Sequence, residues 1–379
     1  MTAIPLLTVR GTPPAMGAAY GQAMADLITA NVELYRRRFR DDAGLSGDDV
    51  RHWGGVYRRV AADYEPRVQA MLDGLAEGAG LPVEEVYALN ARTELLYGSG
   101  YRRDEGCTAL AVLPERTADG HTLLAQNWDW HPEQAPVTFL LATADETGHT
   151  VLCLTEAGML AKSGLNSAGV GVCANLLVCD RDRGGEGVPY HFLLRGALEA
   201  RTLSGAIRAA VNCERISSGN LLLADAGGQA VDLEVAPGDF GHLLPDDGLL
   251  THANHFESGI RVLDIGKARS ASTLLRPVRA RRLLAGRLAE RRVSVADIEG
   301  ALRDHYSHPD GICRHPDPGL PVTERVCSVY SLVMDLDAQV LRIAPHPVCE
   351  HAPAVVSLPE LAGHDGKDVL EAVPLAAGA

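Results

Sequence analysis

The bond between Gly106 and Cys107 divides the chain into two stretches of different character, and it restricts the fold more than any other feature. Before it, residues 4–10 read as a short strand that Gly11-Thr12-Pro13-Pro14 breaks. Helical patterns follow. Met16, Tyr20, Met24, Leu27, Ile28, Val32 and Tyr35 recur at steps of three and four, which is one apolar face of a long helix over about 14–40. Ser46 with Asp48 and Asp49 opens a second helix, its acidic residues suited to the positive end of the helix dipole. Pro66 opens a third helix, and Pro82-Val83-Glu84-Glu85 a fourth that reaches about Tyr97. Residues 1–106 therefore form a mostly helical segment that ends in a Gly/Tyr/Arg loop over 98–106.

After Cys107 strand patterns dominate. They cover 107–114, 121–128, 137–144, 150–155, 159–165 and 169–176, with turns such as Asp119-Gly120 and Glu146-Thr147-Gly148 between them. Two helices over 190–200 and 204–211 follow, the second with Ser204 as N-cap. Strands resume over 219–225, 229–236, 240–244 and 249–253. Helices over 270–290 and 295–305 come next, the latter entered by Ser294 with Asp297 three residues on. Strands over 326–335 and 339–345 close the pattern, and a Pro/Ala-rich tail, 352–379, reads as weakly ordered. Strands grouped apart from helices predict an α+β fold of antiparallel sheets covered by helix layers, not an alternating parallel one. No internal repeat, phosphate loop or nucleotide fingerprint is present, so no cofactor is expected.

A net charge of −14 argues against nucleic acid or an anionic membrane as a partner. The one basic cluster, Arg276 to Arg292, reads as a solvated helix face. Eight cysteines (107, 153, 173, 179, 213, 313, 327 and 349) show no paired spacing, as in a reduced intracellular protein. With no leader pattern and no long uncharged apolar run, a cytoplasmic location is expected.

Chemistry gathers at strand ends. Glycine before Cys107 leaves a carbonyl unshielded by a side chain, and a cysteine beside it can attack that carbonyl and become a new N-terminus. Asn127-Trp128-Asp129-Trp130 ends the return strand of the same hairpin, so Asp129 is placed to reach back toward Cys107. Thr251-His252-Ala253-Asn254-His255 ends another strand, where an Asn amide can hold a developing oxyanion. His252 with His255, and His305 with His308, have an H-x-x-H spacing but no attached metalloprotease Glu, so no metal is expected. Serine catalysis lacks a nucleophile elbow, and a papain-like Cys–His pair has no local signature. A liberated cysteine needs neither. Its α-amine has a reference pKa of about 7.7–8 and can act as base to its own thiol, whose reference pKa is about 8.5.

Several motifs in order resemble the family of fungal acyl-coenzyme A:6-aminopenicillanic acid acyltransferase and its bacterial relatives. They are Gly106-Cys107-Thr108, Gln126-Asn127-Trp128-Asp129, Thr155-Glu156-Ala157-Gly158, Gly164-Leu165-Asn166-Ser167-Ala168-Gly169-Val170, Thr251-His252-Ala253-Asn254-His255 and Ile312-Cys313-Arg314. Gly11-Thr12-Pro13 and Leu89-Asn90-Ala91-Arg92-Thr93-Glu94 add to them. The resemblance implies an N-terminal-nucleophile hydrolase with a four-layer αββα fold, made as a zymogen. It implies cleavage between Gly106 and Cys107 into an α-chain, 1–106, and a β-chain, 107–379, that stay together as one globular heterodimer. Cys107 would be the nucleophile, acting through a thioester. Asp129 would orient the new N-terminus, Asn254 would donate to the oxyanion, and Arg314 would support the site electrostatically. Asn175 is similar to an oxyanion Asn of the related bile-salt hydrolases.

The implied substrate is a small acylated amine or N-acyl amino acid. An acyl-coenzyme A or amine co-substrate and further homo-oligomerisation stay open, as does the choice between hydrolysis and transfer. Departures from the fungal pattern are Glu105 in place of Asp, a longer hairpin turn, and an end, Leu375-Ala376-Ala377-Gly378-Ala379, without a peroxisomal tripeptide. The fungal penicillin pathway setting therefore does not carry over, and since these motifs do not specify the pocket lining, penicillin itself is not the expected substrate. The rival readings are a non-catalytic binding protein that keeps the fold and a His-dependent metallohydrolase.

Overall fold

The computed structural model describes residues 3–98, 106–268, 270–362 and 368–376. Glu105 and most of the loop expected over 98–106 lie outside them. In order, the elements are β1 (Ala3–Gly11), α1 (Pro13–Ala23), α2 (Ala25–Asp41), α3 (Gly47–Tyr64), α4 (Pro66–Ala79), α5 (Val83–Asn90) and α6 (Arg92–Gly98). Then come β2 (Cys107–Val112), β3 (Leu123–Trp130), β4 (Thr138–Asp145), β5 (Thr150–Glu156), β6 (Gly164–Asn166) and β7 (Val170–Leu176). They are followed by α7 (Tyr190–Glu199), α8 (Leu203–Val211), β8 (Gly219–Asp225), β9 (Gln229–Ala236), β10 (Asp239–Leu243) and β11 (Leu249–His252). The chain continues with α9 (Arg276–Ala289), α10 (Val295–Leu302), β12 (Cys327–Asp335), β13 (Val340–Pro345), β14 (Ala354–Ser357), α11 (Leu358–Ala362) and β15 (Val369–Pro374).

Two sheets result. One runs β10-β9-β8-β7-β6-β5-β4-β1-β15, the other β11-β2-β3-β12-β13-β14. All described pairings between these strands are antiparallel except that of β1 with β4. Strand alternation sends neighbouring side chains to opposite faces, and here both faces are dry. Leu140 and Leu152 pack into the core between the sheets, while Leu141 and Val151 pack outward against α1–α8. On the second sheet Ala109 and Leu124 face inward, while Leu110 and Ala125 meet α9 and α10. The layers are therefore helix, sheet, sheet, helix, and the fold is α+β. Burial on both faces explains why β2 and β3 are buried throughout.

Boundaries differ from the sequence expectation in instructive places. The helix expected over 14–40 breaks at Met24, whose backbone (φ −118°, ψ 18°) is not helical. The apolar stripe runs on across the break, so periodicity hides it. Helix α8 is capped by Thr202 rather than Ser204, the Thr202 hydroxyl accepting from the Gly205 N–H at 3.1 Å. The capping boxes at Ser46 with Asp49 and Ser294 with Asp297 both form. The tail expected to be weakly ordered over 352–379 instead supplies β14, α11 and β15. Strand β15 pairs with β1 from Ala3↔Pro374 to Thr8↔Val369, a long-range pairing that local composition does not announce. Residues 363–367 and 377–379 lie outside the described residues. None of the described helices is long and apolar enough to cross a membrane.

Candidate active site

The β2–β3 hairpin sets Cys107 opposite Trp128. One residue further along β3, the N–H of Asp129 donates to the Gly106 carbonyl at 3.0 Å. On the other side of the same peptide, the Cys107 N–H donates to Asn254 Oδ1 at 2.7 Å. Both ends of the Gly106–Cys107 bond are thus held. A Cβ on Gly106 would stand 2.7 Å from Asp129 Oδ2 and 3.0 Å from Arg314 Nη1, so the close approach of these side chains requires glycine.

Each gripping group has its own support. Ser328 Oγ on β12 donates to Asp129 Oδ1 at 2.6 Å and accepts from the Arg314 N–H at 2.9 Å. Arg314 Nε and Nη2 hold Asp310 Oδ1 at 3.1 and 2.7 Å. Asn127 Nδ2 ties β3 to the carbonyls of Leu302 and Ile312 at 2.8 and 2.9 Å, which seats the loop that carries Arg314. The Asn254 N–H donates to Thr273 Oγ1 at 2.7 Å, and its Nδ2 donates to the Leu176 carbonyl at 2.9 Å.

Four of the residues named from sequence, Cys107, Asp129, Asn254 and Arg314, therefore meet around one peptide bond. Asn254 does so through its oxygen, while its amide nitrogen donates to the Leu176 carbonyl. Asn175 lies on β7 of the facing sheet. Its Oδ1 accepts from Gln126 Nε2 at 2.9 Å, and its buried Nδ2 has no hydrogen-bond partner among the described residues.

Sequence reasoning missed Arg276. It belongs to the basic cluster read as a solvated helix face, yet it is only 3% exposed, at the first turn of α9. Its Nη1 donates to the Cys107 carbonyl and to Thr108 Oγ1 at 3.0 Å, and its Nη2 donates to Asn254 Oδ1 at 2.9 Å. The expectation holds for Arg282 and Arg287, which are exposed. Position on the helix cannot be told from charge alone; only the inward-facing phase shared with Ala280 and Leu284 hinted at it. Ser328 was missed because a serine within an apolar strand carries no signal of its own.

A pocket opens beside Cys107, lined by Arg92, Trp128, Trp130, Lys162, Tyr190 and Leu194 among others. Lys162 Nζ stands 2.7 Å from Glu156 Oε1 and 4.1 Å over the Trp128 ring. Burial and the Arg92 charge draw its ammonium down to about 8, against the pull of Glu156. Glu156 is also hydrogen-bonded by Tyr35 Oη at 2.8 Å, and its carboxyl lies below the usual range because Lys162 and Arg92 outweigh its burial. The Cys107 thiol is pushed up to about 12, chiefly by burial and then by the Asp129 charge. A thiol held this high stays protonated near neutral pH, and a base would be needed to take its proton. The histidine pairs offer none here. His252 is bound to Glu234 Oε1 and to the Ala253 carbonyl, each at 2.9 Å, and His255 Nδ1 lies 3.1 Å from Thr273 Oγ1.

The family model described as acyl-coenzyme A:6-aminopenicillanic acid acyl-transferase matches residues 116–329. The acyl-coenzyme A:6-aminopenicillanic-acid-acyltransferase 40 kDa form of Emericella nidulans is 29% identical over 250 residues, which cover 66% of this chain and 68% of that one. Among solved structures, a mutant of the conjugated bile acid hydrolase from Clostridium perfringens is similar with a TM-score of 0.49 and 14% identity, over 70% of this chain and 96% of that one. Penicillin V acylase from Agrobacterium tumefaciens is similar with a TM-score of 0.46 and 12% identity, over 70% of this chain and 90% of that one. Likeness that distant leaves the chemistry to the chain's own geometry.

Proposed function

The chain belongs to the acyl-coenzyme A:6-aminopenicillanic acid acyl-transferase family, and on that premise we propose a self-processing amide hydrolase or acyltransferase that works through a Cys107 thioester. The observation that carries the reading is the double grip on one peptide bond: Asp129 N–H on the Gly106 carbonyl and Asn254 Oδ1 on the Cys107 N–H. In maturation Cys107 Sγ adds to the Gly106 carbonyl carbon, and the oxygen that gains charge already accepts a hydrogen bond from Asp129. The C–N bond then breaks, the Cys107 nitrogen takes the proton, and water hydrolyses the thioester to free the Gly106 carboxylate.

The liberated α-amine becomes the base. Its reference pKa of about 7.7–8 leaves a useful neutral fraction near pH 7.5, and the 2.7 Å bond from the Cys107 nitrogen to Asn254 Oδ1 supports Asn254 as its acceptor. In turnover Cys107 Sγ attacks the acyl carbonyl of a small acylated amine or N-acyl amino acid, and the amine leaves. Water resolves the acyl-enzyme in hydrolysis; an amine resolves it in transfer. Asn175 Nδ2 is the donor best suited to the turnover oxyanion, because Asn254 Nδ2 would first have to release Leu176. Arg314 and Arg276 bring positive charge to the same bond.

Denaturing mass spectrometry of the purified protein tests the reading. Two fragments are expected, the second starting at Cys107, and Cys107→Ala should give one uncut, inactive chain. A wild-type chain that stays whole and takes no thiol-directed acyl label at residue 107 would move the assignment to a binding protein.

A further inference from the structure

Away from the Gly106–Cys107 bond, four side chains from three separate places in the sequence meet: His305, Cys313, His315 and Cys349. Their ligand atoms all lie within 4.8 Å of one another. His315 Nε2 is 3.5 Å from Cys313 Sγ, 3.6 Å from Cys349 Sγ and 3.1 Å from His305 Nε2. Around a tetrahedral zinc, with Zn–S of about 2.3 Å and Zn–N of about 2.0–2.1 Å, sulfur and nitrogen ligand atoms stand about 3.6 Å apart and two nitrogens about 3.3 Å. The three separations match the edges of such a tetrahedron.

We propose that His305, Cys313, His315 and Cys349 form a structural zinc site that fastens the loop carrying Arg314. Two thiolates and two imidazoles select zinc over the hard cations, and four protein ligands close the coordination sphere, as in structural rather than catalytic sites. On binding, both thiols give up their protons, so the two thiolates balance the charge of the ion.

The surrounding chain gives the site a purpose. Residues 303–326 connect α10 to β12 with a single 3-10 turn at Val322–Glu324 as their regular structure. Loops longer than about 12–15 residues without secondary structure are uncommon in compact domains. A metal clip between 305, 313 and 315 and the turn after β13 at 349 closes this loop onto the sheet. Arg314 sits between two of the ligands, with its Nη1 beside Gly106 and its N–H on Ser328. The H-x-x-H pair is not the ligand set: His308 packs its ring on His315 at 5.2 Å, outside the four-atom cluster.

The full chain, purified without a polyhistidine tag from zinc-supplemented medium, should carry about one zinc per chain by elemental analysis. Cys313→Ser and Cys349→Ser should each lose it, while His308→Ala should keep it. Cobalt added to the metal-stripped wild-type chain should give thiolate-to-cobalt charge-transfer and tetrahedral visible bands, a readout that does not depend on any variant folding. Well under one zinc per chain with no such cobalt spectrum would overturn the proposal. So would an intact mass that reveals a Cys313–Cys349 disulfide, or zinc that survives both cysteine substitutions.

Discussion

The backbone N–H of Asp129 sits 3.0 Å from the carbonyl oxygen of Gly106, so the residue named for its carboxylate also grips the bond by its main chain. Antiparallel pairing of β2 with β3 makes that contact, and substitution of the Asp129 side chain alone would leave it in place. The carboxylate acts on the other side, where it closes off the space beside the glycine.

Gly106→Ala should therefore slow self-cleavage. The new methyl would lie 2.7 Å from Asp129 Oδ2, and Asp129 and Arg314 are 1% and 6% exposed, with little room to retreat. Misplacement of reacting groups by about 1 Å can cost on the order of a hundredfold. A time course of intact against cut chain on denaturing gels should show a loss of at least about tenfold; an unchanged rate would sink the account of this position.

Arg276→Lys should impair cleavage as well, because an ammonium cannot fork between the Cys107 carbonyl, Thr108 and Asn254. Arg276→Met should also cost about 1–3 kcal/mol of stability, since it leaves buried acceptors unmet. Exposed Arg282 on the same helix is the control, and Arg282→Ala should change stability by no more than about 0.5 kcal/mol in urea unfolding.

Ser328→Ala removes one hydroxyl that both donates to Asp129 and accepts from Arg314. The expected loss is about 1–3 kcal/mol in stability, together with slower cleavage. Ser331→Ala on the same strand should leave the cleavage rate near wild type, and comparison of the two rates decides the point.

His252 predicts a pH dependence. Burial opposes its charge, but Asp232 and Glu234 outweigh that and raise its pKa to about 9 from an ordinary 6.5. A raised folded-state value stabilises fully below pH 6.5, and the benefit is lost as pH rises through 9. The shift corresponds to about 3 kcal/mol. Urea unfolding from pH 6 to 10 should show this fall, and His252→Gln should flatten it.

Removal of residues 368–379 should destabilise the whole chain, because it exposes the edge of β1 that β15 covers. A lowered melting temperature with increased light scattering is the expected outcome. An unchanged melting temperature would mean that β15 adds nothing to the fold.

Chemistry that rests on residue type and local order was legible early. The glycine before Cys107, the hairpin that returns Asp129 and the strand end at Asn254 all follow from runs of a few residues. Sequence could not see burial that depends on distant partners. Arg276 reads like its exposed neighbours until α9 is laid on the second sheet, and Ser328 is an ordinary strand residue until β12 is paired with β3. The histidines follow the same rule: spacing pairs His305 with His308 and gave no reason to expect a metal, while folding brought His305 to Cys313, His315 and Cys349.

By itself, then, the sequence determined the helical and strand-rich halves, their boundary at Gly106–Cys107 and the residue types of the candidate site. Periodicity and turn chemistry are local, and these features need no knowledge of what packs where. Tertiary structure alone decided which atom of each residue reaches the bond. It turned Asn254 so that its oxygen faces the Cys107 nitrogen, buried Arg276 against the Cys107 carbonyl, and paired the tail with β1. Such choices depend on contacts between residues a hundred or more positions apart, which no local pattern encodes.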